Sequence, residues 1–208
     1  MDQQINLPEF VPVMPLPGAV LFPHALLPLY IFEPRYQAML ESALSDQRMF
    51  CVPLVLSKGD WQSHHDFCNV AGLGLIRACV GRGDGTSNLI LQGLQRVRFS
   101  AFKQETPFPI ARIEPLESVA SHSVQPEALG AKVLELYSKF KGGGREFPEK
   151  IDRYLTDLTD PETLADLMAA TFVSDPMRRQ HVLEELTVDD RLRFVIEYLR
   201  DESGHAAA

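Results

Sequence analysis

In QRVRFSAF, residues 95–102, hydrophobic and polar positions alternate. Val97, Phe99 and Ala101 fall on one side, Arg96, Arg98 and Ser100 on the other. That period of two predicts a half-buried strand. NLILQGL just before it is compatible with a second strand, and VAGLGLIRACV with a third. Between them stands Gly81-Arg82-Gly83-Asp84-Gly85, where glycine tolerates positive φ and Asp-Gly favours a tight reversal, so a hairpin is expected. MFCVPLVL reads as a short strand interrupted by Pro53, which cannot donate a ladder hydrogen bond; an edge strand or bulge follows from that. One helix enters this strand-rich stretch. Pro34 suits a first helical turn, and Tyr36, Met39, Leu40, Ala43 and Leu44 recur on one face.

After residue 120 the period becomes helical. Leu129, Val133, Leu136, Tyr137 and Phe140 form one apolar stripe that should stop at Gly142-Gly143-Gly144, where a loop or hinge is expected. Asp160-Pro161 and Asp175-Pro176 each place a capping acid before a proline at the first helical position, marking two helix starts. Thr187 is placed to cap a last helix carrying Leu192, Val195, Ile196 and Leu199. The expectation is an α+β chain: residues 1–120 as a β-rich part and 121–208 as a small helical bundle packed on it.

Composition narrows the function classes. At 208 residues, with 45% hydrophobic and 23% charged residues, the chain is long enough to bury a real core. Apolar runs fall short of a membrane span and the N-terminus lacks a basic signal start, so a cytoplasmic location is expected. Three cysteines, Cys51, Cys68 and Cys79, are an odd number without a close pair, which argues against a disulfide framework. The net charge is −8, and residues 121–208, with 11 basic and 17 acidic side chains, carry most of it. Such acidity disfavours general affinity for phosphate backbones, although a local basic patch stays open.

Candidate chemistry is sparse. His64-His65-Asp66 with Cys68 holds metal-ligand residue types, yet the spacing fits no standard zinc pattern and a solvated loop is the plainer reading. Ser57, Ser63, His65 and Cys68 lie near one another in sequence without a nucleophile elbow. Gly72 and Gly74 occur in a strand-like run that does not open a helix, so relief of a curved sheet outweighs dinucleotide binding. His24 reads as a loop histidine. Glu33, Arg35 and Tyr36 flank the start of the first helix and are candidates either for a structural joint or for a polar partner-binding rim. No catalytic, cofactor-binding or metal-ligating residue is assigned.

Three segments in order, PLPGAVLFPHALLPLYIFEPRYQAML, RMFCVPLV and VAGLGLIRACVGRGDGTSNLILQGLQRVRF, resemble the N-terminal substrate-binding domain family of the Lon protease. The tail LADLMAATFVSDPMRRQHVLEELTVDDRLRFVIEYL does so too, over about residues 8–200 in all. The IFEPRY segment most resembles free-standing bacterial members and the Lon-like domains of certain RING-finger proteins. The resemblance implies a PUA-like β-barrel followed by helices, no catalytic residue and no cofactor. It implies binding of unfolded or partner polypeptides, as an adaptor or in protein quality control, through an apolar cleft between barrel and bundle. Neither a phosphate-cradling loop nor a Ser-Lys peptidase domain is present in the sequence. The alternative is RNA binding by a PUA-like module, for which Arg96, Arg98, Lys103 and Arg112 are the candidate phosphate contacts.

Overall fold

The alternation around Val97 belongs to an 18-residue strand, Ser87–Gln104, the longest in the computed structural model, which describes residues 6–56, 61–119, 126–142 and 149–205. The side chains of Phe140, Lys150 and residues 202–205 lie outside that description, as do Gly143, Gly144 and Ser57. Among the described residues six strands precede the helical part: β1 (Phe10–Pro12), β2 (Leu26–Ile31), β3 (Met49–Val52), β4 (Val70–Gly81), β5 (Ser87–Gln104) and β6 (Ile110–Leu116). They pair antiparallel in the order β1-β6-β5-β4-β3, with β2 added to β5. The expected hairpin joins β4 to β5, with Gly85 at φ 85° and the Arg82 amide donating to the Thr86 carbonyl at 2.7 Å.

The sheet returns on itself. A parallel bridge joins Val13 to Cys51, and the Met14 amide donates to the Cys51 carbonyl at 2.8 Å, so the strand path from β1 round to β3 closes as a barrel. Its interior holds Val11, Val13, Cys51, Leu73, Val97, Phe99 and Ile113, with Trp61 and Phe67. β3 is buried on both faces. Met49 and Cys51 point into the barrel, whereas Phe50 and Val52 join a second core under helix α1 (Pro34–Ser45) with Tyr36, Met39, Leu40 and Ala43. Pro53 follows the strand, and its carbonyl accepts from the Leu16 amide.

β5 does two jobs. Its second half pairs with β6 inside the barrel circuit, while its first half lies between β2 and the end of β4, forming a three-stranded wing. One face of the wing, with Ile31, Ile76, Leu89 and Leu91, is in the α1 core. β2 pairs with β5 alone among the described strands, and Pro28 sits in this edge strand.

Two expectations about β5 need correction. A register shift between Phe99 and Ala101 inserts an extra residue, so Ala101 turns outward and Phe102 packs against the interior. Arg96 is buried instead of lining a solvated face. The residue opposite it on β4 is Gly72, over which the Leu21 backbone crosses, so that side of the strand is covered.

The chain divides into two compact units. One comprises the chain up to Leu21 together with Leu26–Leu116, the other Phe22–Ala25 with the chain from Glu117 onward. The second unit holds helices α2 (Pro126–Gly142), α3 (Glu149–Thr156), α4 (Pro161–Phe172), α5 (Pro176–Glu184) and α6 (Val188–His205). Both Asp-Pro starts are formed. Asp160 accepts from the Thr163 amide, and Asp175 from the amides of Met177 and Arg178. Helix α3 was not anticipated; its amphipathic turn around Leu155 is too short to stand out as a pattern. At the centre of this unit Arg191 is fully buried, donating to Asp166 at 3.2 Å, Glu162 at 3.3 Å, the Ser118 hydroxyl at 2.9 Å and the Glu185 carbonyl at 3.1 Å. The hydroxyl of Tyr137 donates to Asp152, which also takes the Lys141 ammonium; burial, and then this bond, push the phenol up to about 12.

Candidate functional site: an apolar sheet face

The outer face of the wing carries large apolar side chains in solvent. Alternation along β2 sends Leu27, Leu29 and Ile31 toward α1, and it sends Leu26, Pro28, Tyr30 and then Phe32 outward. Opposite them stand Ile90 of β5 and Ala78 and Val80 of β4. Leu26 is 63% exposed, Tyr30 47%, Phe32 58% and Val80 65%. The rings of Tyr30 and Phe32 stack at 5.7 Å. Pro28, Tyr30, Ala78, Val80 and Ile90 line a shallow depression of about 340 Å³. Isolated exposed apolar residues are ordinary, whereas here several stand together on one sheet face.

Polar groups rim this face. The guanidinium of Arg82 lies 5.4 Å from the Tyr30 ring, and with the Asn88 amide oxygen turned toward it, Nη2 and Nε donate at 2.9 and 3.2 Å. At the other end Arg77 Nε donates to the side-chain oxygen of Gln92, the residue paired with Leu26.

The residues singled out from the sequence are dispersed. Tyr36, a candidate for the rim, is 3% exposed; its hydroxyl accepts from Trp61 Nε1 at 2.9 Å and donates to the Pro15 carbonyl at 2.8 Å. Arg35 pairs with Glu33 at 2.8 Å and lies 4.8 Å from the ring centres of both Tyr36 and Trp61. These contacts tie the start of α1 to Trp61 and Pro15. Of the candidate phosphate contacts, Arg96 is buried, Arg98 is exposed opposite Glu114, Arg112 pairs with Glu9 at 2.6 Å, and Lys103 lies 4.8 Å above the Phe10 ring. These four do not make one open basic surface.

The histidine cluster is a capped turn. Ser63 and Asp66 close a capping box around His64–Asp66, and the amides of Gln62 and Ser63 hold the Asp66 carboxyl below its usual range. His64 pairs with Glu105 and stacks on Phe102 at 4.6 Å. Among the described residues no group of three or more His, Cys, Asp or Glu is arranged to hold a metal ion. Gly72 and Gly74 serve packing: a Cβ at 72 would lie 2.0 Å from the Leu21 carbonyl oxygen. Cys51 and Cys68 are buried, and burial pushes the Cys51 thiol above its ordinary value, the reverse of what a nucleophile needs.

The model of the ATP-dependent protease La (LON) substrate-binding domain matches residues 11–201. The chain belongs to this family. It is 27% identical over 202 residues to the Lon protease of Dictyoglomus thermophilum, covering 97% of this chain and 26% of that protein. It is 31% identical to Lon protease 2 of Herpetosiphon aurantiacus, covering 92% of this chain and 24% of that protein. The chain thus spans about a quarter of the length of these relatives. Among solved structures, the N-terminal domain of the Mycobacterium avium complex Lon protease aligns with TM-score 0.71 at 18% identity, over 92% of this chain and 98% of that one. A Lon N-terminal domain protein from Xanthomonas campestris aligns with TM-score 0.66 at 19% identity, over 91% and 98%. These likenesses show the α+β fold, a β-rich part with a helical C-terminal part. No described helix is long and apolar enough to cross a membrane.

Proposed function

We propose that this LON substrate-binding domain recognises polypeptide segments that expose aliphatic and aromatic side chains, that it does so on the outer face of the wing, and that it carries out no chemistry there. The observation that carries the reading is the set Leu26, Tyr30, Phe32 and Val80, all about half or more exposed on one rigid sheet face. An aromatic side chain presents roughly 150–250 Å² when fully uncovered. Each half-exposed ring here therefore offers about 100 Å² to a ligand. Contact on that scale, less the cost of ordering an extended chain, supports binding in the micromolar range, about −8 kcal/mol.

The RNA alternative has less support. Its four basic residues include one that is buried and one paired with a carboxylate. The two readings separate by salt. RNA held by six to ten phosphate contacts loses roughly 10³–10⁵ in affinity between 50 and 200 mM salt, whereas apolar contact persists. A labelled, permanently unfolded polypeptide and a labelled single-stranded RNA should be titrated with the protein across that range by fluorescence anisotropy. Micromolar polypeptide binding that survives the salt supports the proposal. Salt-sensitive RNA binding with no polypeptide binding overturns it.

A further inference from the structure

The apolar face lies between two arginines that make no ion pair among the described residues. Among the described residues neither Arg77 nor Arg82 forms an ion pair; each is held by a neutral amide, Gln92 or Asn88, and Arg82 also by the Tyr30 ring. Of the nearby acids, Asp84 lies close enough to Arg82 for the two charges to attract, but makes no ion pair with it. Asp84 accepts from the amide and hydroxyl of Thr86 at 3.0 and 2.7 Å within its own turn, and Glu33 pairs with Arg35. In a chain of net charge −8, each end of the exposed apolar surface thus carries a guanidinium outside any ion pair among the described residues, the Arg82 end with Asp84 nearby.

The geometry sets a spacing. Gln92 and Asn88, which hold the two guanidiniums, are four residues apart on β5 and face the same side as Ile90 between them. At about 3.3 Å per residue the two anchor points are roughly 13 Å apart, the distance between residues i and i+4 of an extended chain. A guanidinium fixed by neutral partners is oriented before a ligand arrives and keeps its charge for a planar carboxylate, which it accepts through paired N–H donors.

Resting on the proposed polypeptide recognition, we infer that the preferred segment is an extended apolar core flanked by two carboxylates four residues apart, which Arg77 and Arg82 engage at opposite ends of the face. Charge complementarity selects this occupant over a second copy packed face to face, which would set the same two arginines against one another.

The probes are a labelled peptide with Glu-Leu-Phe-Val-Glu at its centre, its double Gln counterpart, and an isomer with the two Glu adjacent. Exposed ion pairs are individually weak, so the Glu form should bind about threefold tighter per carboxylate, about tenfold in all, at low salt. That preference should shrink toward one in high salt. The adjacent-Glu isomer should lose most of the advantage. In the Arg77→Gln, Arg82→Gln double variant the Glu-to-Gln affinity ratio should fall to about one, and in the double Lys variant it should partly recover.

Equal binding of the Glu and Gln peptides to the unaltered protein overturns the inference while leaving apolar recognition standing. Binding of none of the three overturns both. Dimerisation in sedimentation that is lost in Val80→Glu, or competition by an RNA oligonucleotide for the peptide, assigns the face to another occupant and overturns the inference as well.

Discussion

Gly72→Ala tests the packing that sets where the wing begins. The Leu21 backbone crosses β4 at Gly72, one turn of chain before β2, and a Cβ there would lie 2.0 Å from the Leu21 carbonyl oxygen and 2.8 Å from its carbonyl carbon. Unstrained contacts need roughly 3.5 Å, so about 1.5 Å of movement is required of a backbone that is itself in the core. Overpacking costs typically 1–3 kcal/mol; because the obstruction is main chain and cannot rotate away, the upper end, about 3 kcal/mol, is expected. Trp61, the only tryptophan, is buried in the barrel interior and reports unfolding of this unit by fluorescence. With a urea dependence of about 1–3 kcal/mol per molar, the unfolding midpoint should fall by about 1 M or more. Gly74→Ala should do less, because its nearest obstructions are the Leu91 and Leu21 side chains, which can shift rotamer. A Gly72→Ala midpoint within about 0.3 M of the unaltered protein, or the reverse order of the two variants, refutes the reasoning.

Arg191→Leu leaves the fully buried Asp166 without its cation and should cost about 3–5 kcal/mol in thermal unfolding followed by helical circular dichroism, while adding Asp166→Leu should recover much of it. Tyr36→Phe removes the hydroxyl that joins Trp61 to Pro15 and should cost about 1–3 kcal/mol without altering peptide affinity; a specific loss of affinity would restore Tyr36 to a binding role. Asp152 is held below its usual 3.8 by the Lys141 and then the Tyr137 hydrogen bonds. Its contribution is therefore present above 3.8 and lost as pH falls through the lower folded value, and Asp152→Asn should flatten that acid limb in pH-dependent melts.

What was legible in the sequence was local chemistry. The Gly81–Gly85 reversal and the caps at Asp160 and Asp175 depend on residues within a few positions of one another, and each formed where its residues stood. Arg96 was misread because its burial is decided by Leu21, which reaches the sheet from a distant part of the chain. The bulge at Ser100 leaves no mark in a pattern of period two except that Phe102 then follows Phe99 by three. The wing face had a signal that went unused. LLPLYIF is apolar at every position, so with one side against α1 the other side must be either covered or exposed, and only the fold reveals that it is exposed. Arg77 and Arg82 were not singled out in the sequence, because what holds each guanidinium, Gln92 or Asn88, lies on the neighbouring strand.

The central claim is that unfolded chains meet this protein on the outer face of the wing. A photoreactive benzoylphenylalanine at position 80, beside the depression lined by Tyr30 and Ile90, can be compared with the same group at position 98, an exposed site on the barrel half of β5. With an unfolded polypeptide present, strong crosslinking from position 80 that Phe32→Ser weakens, with little from position 98, is the predicted result. Equal crosslinking from both positions, or crosslinking from position 98 alone, would contradict the account.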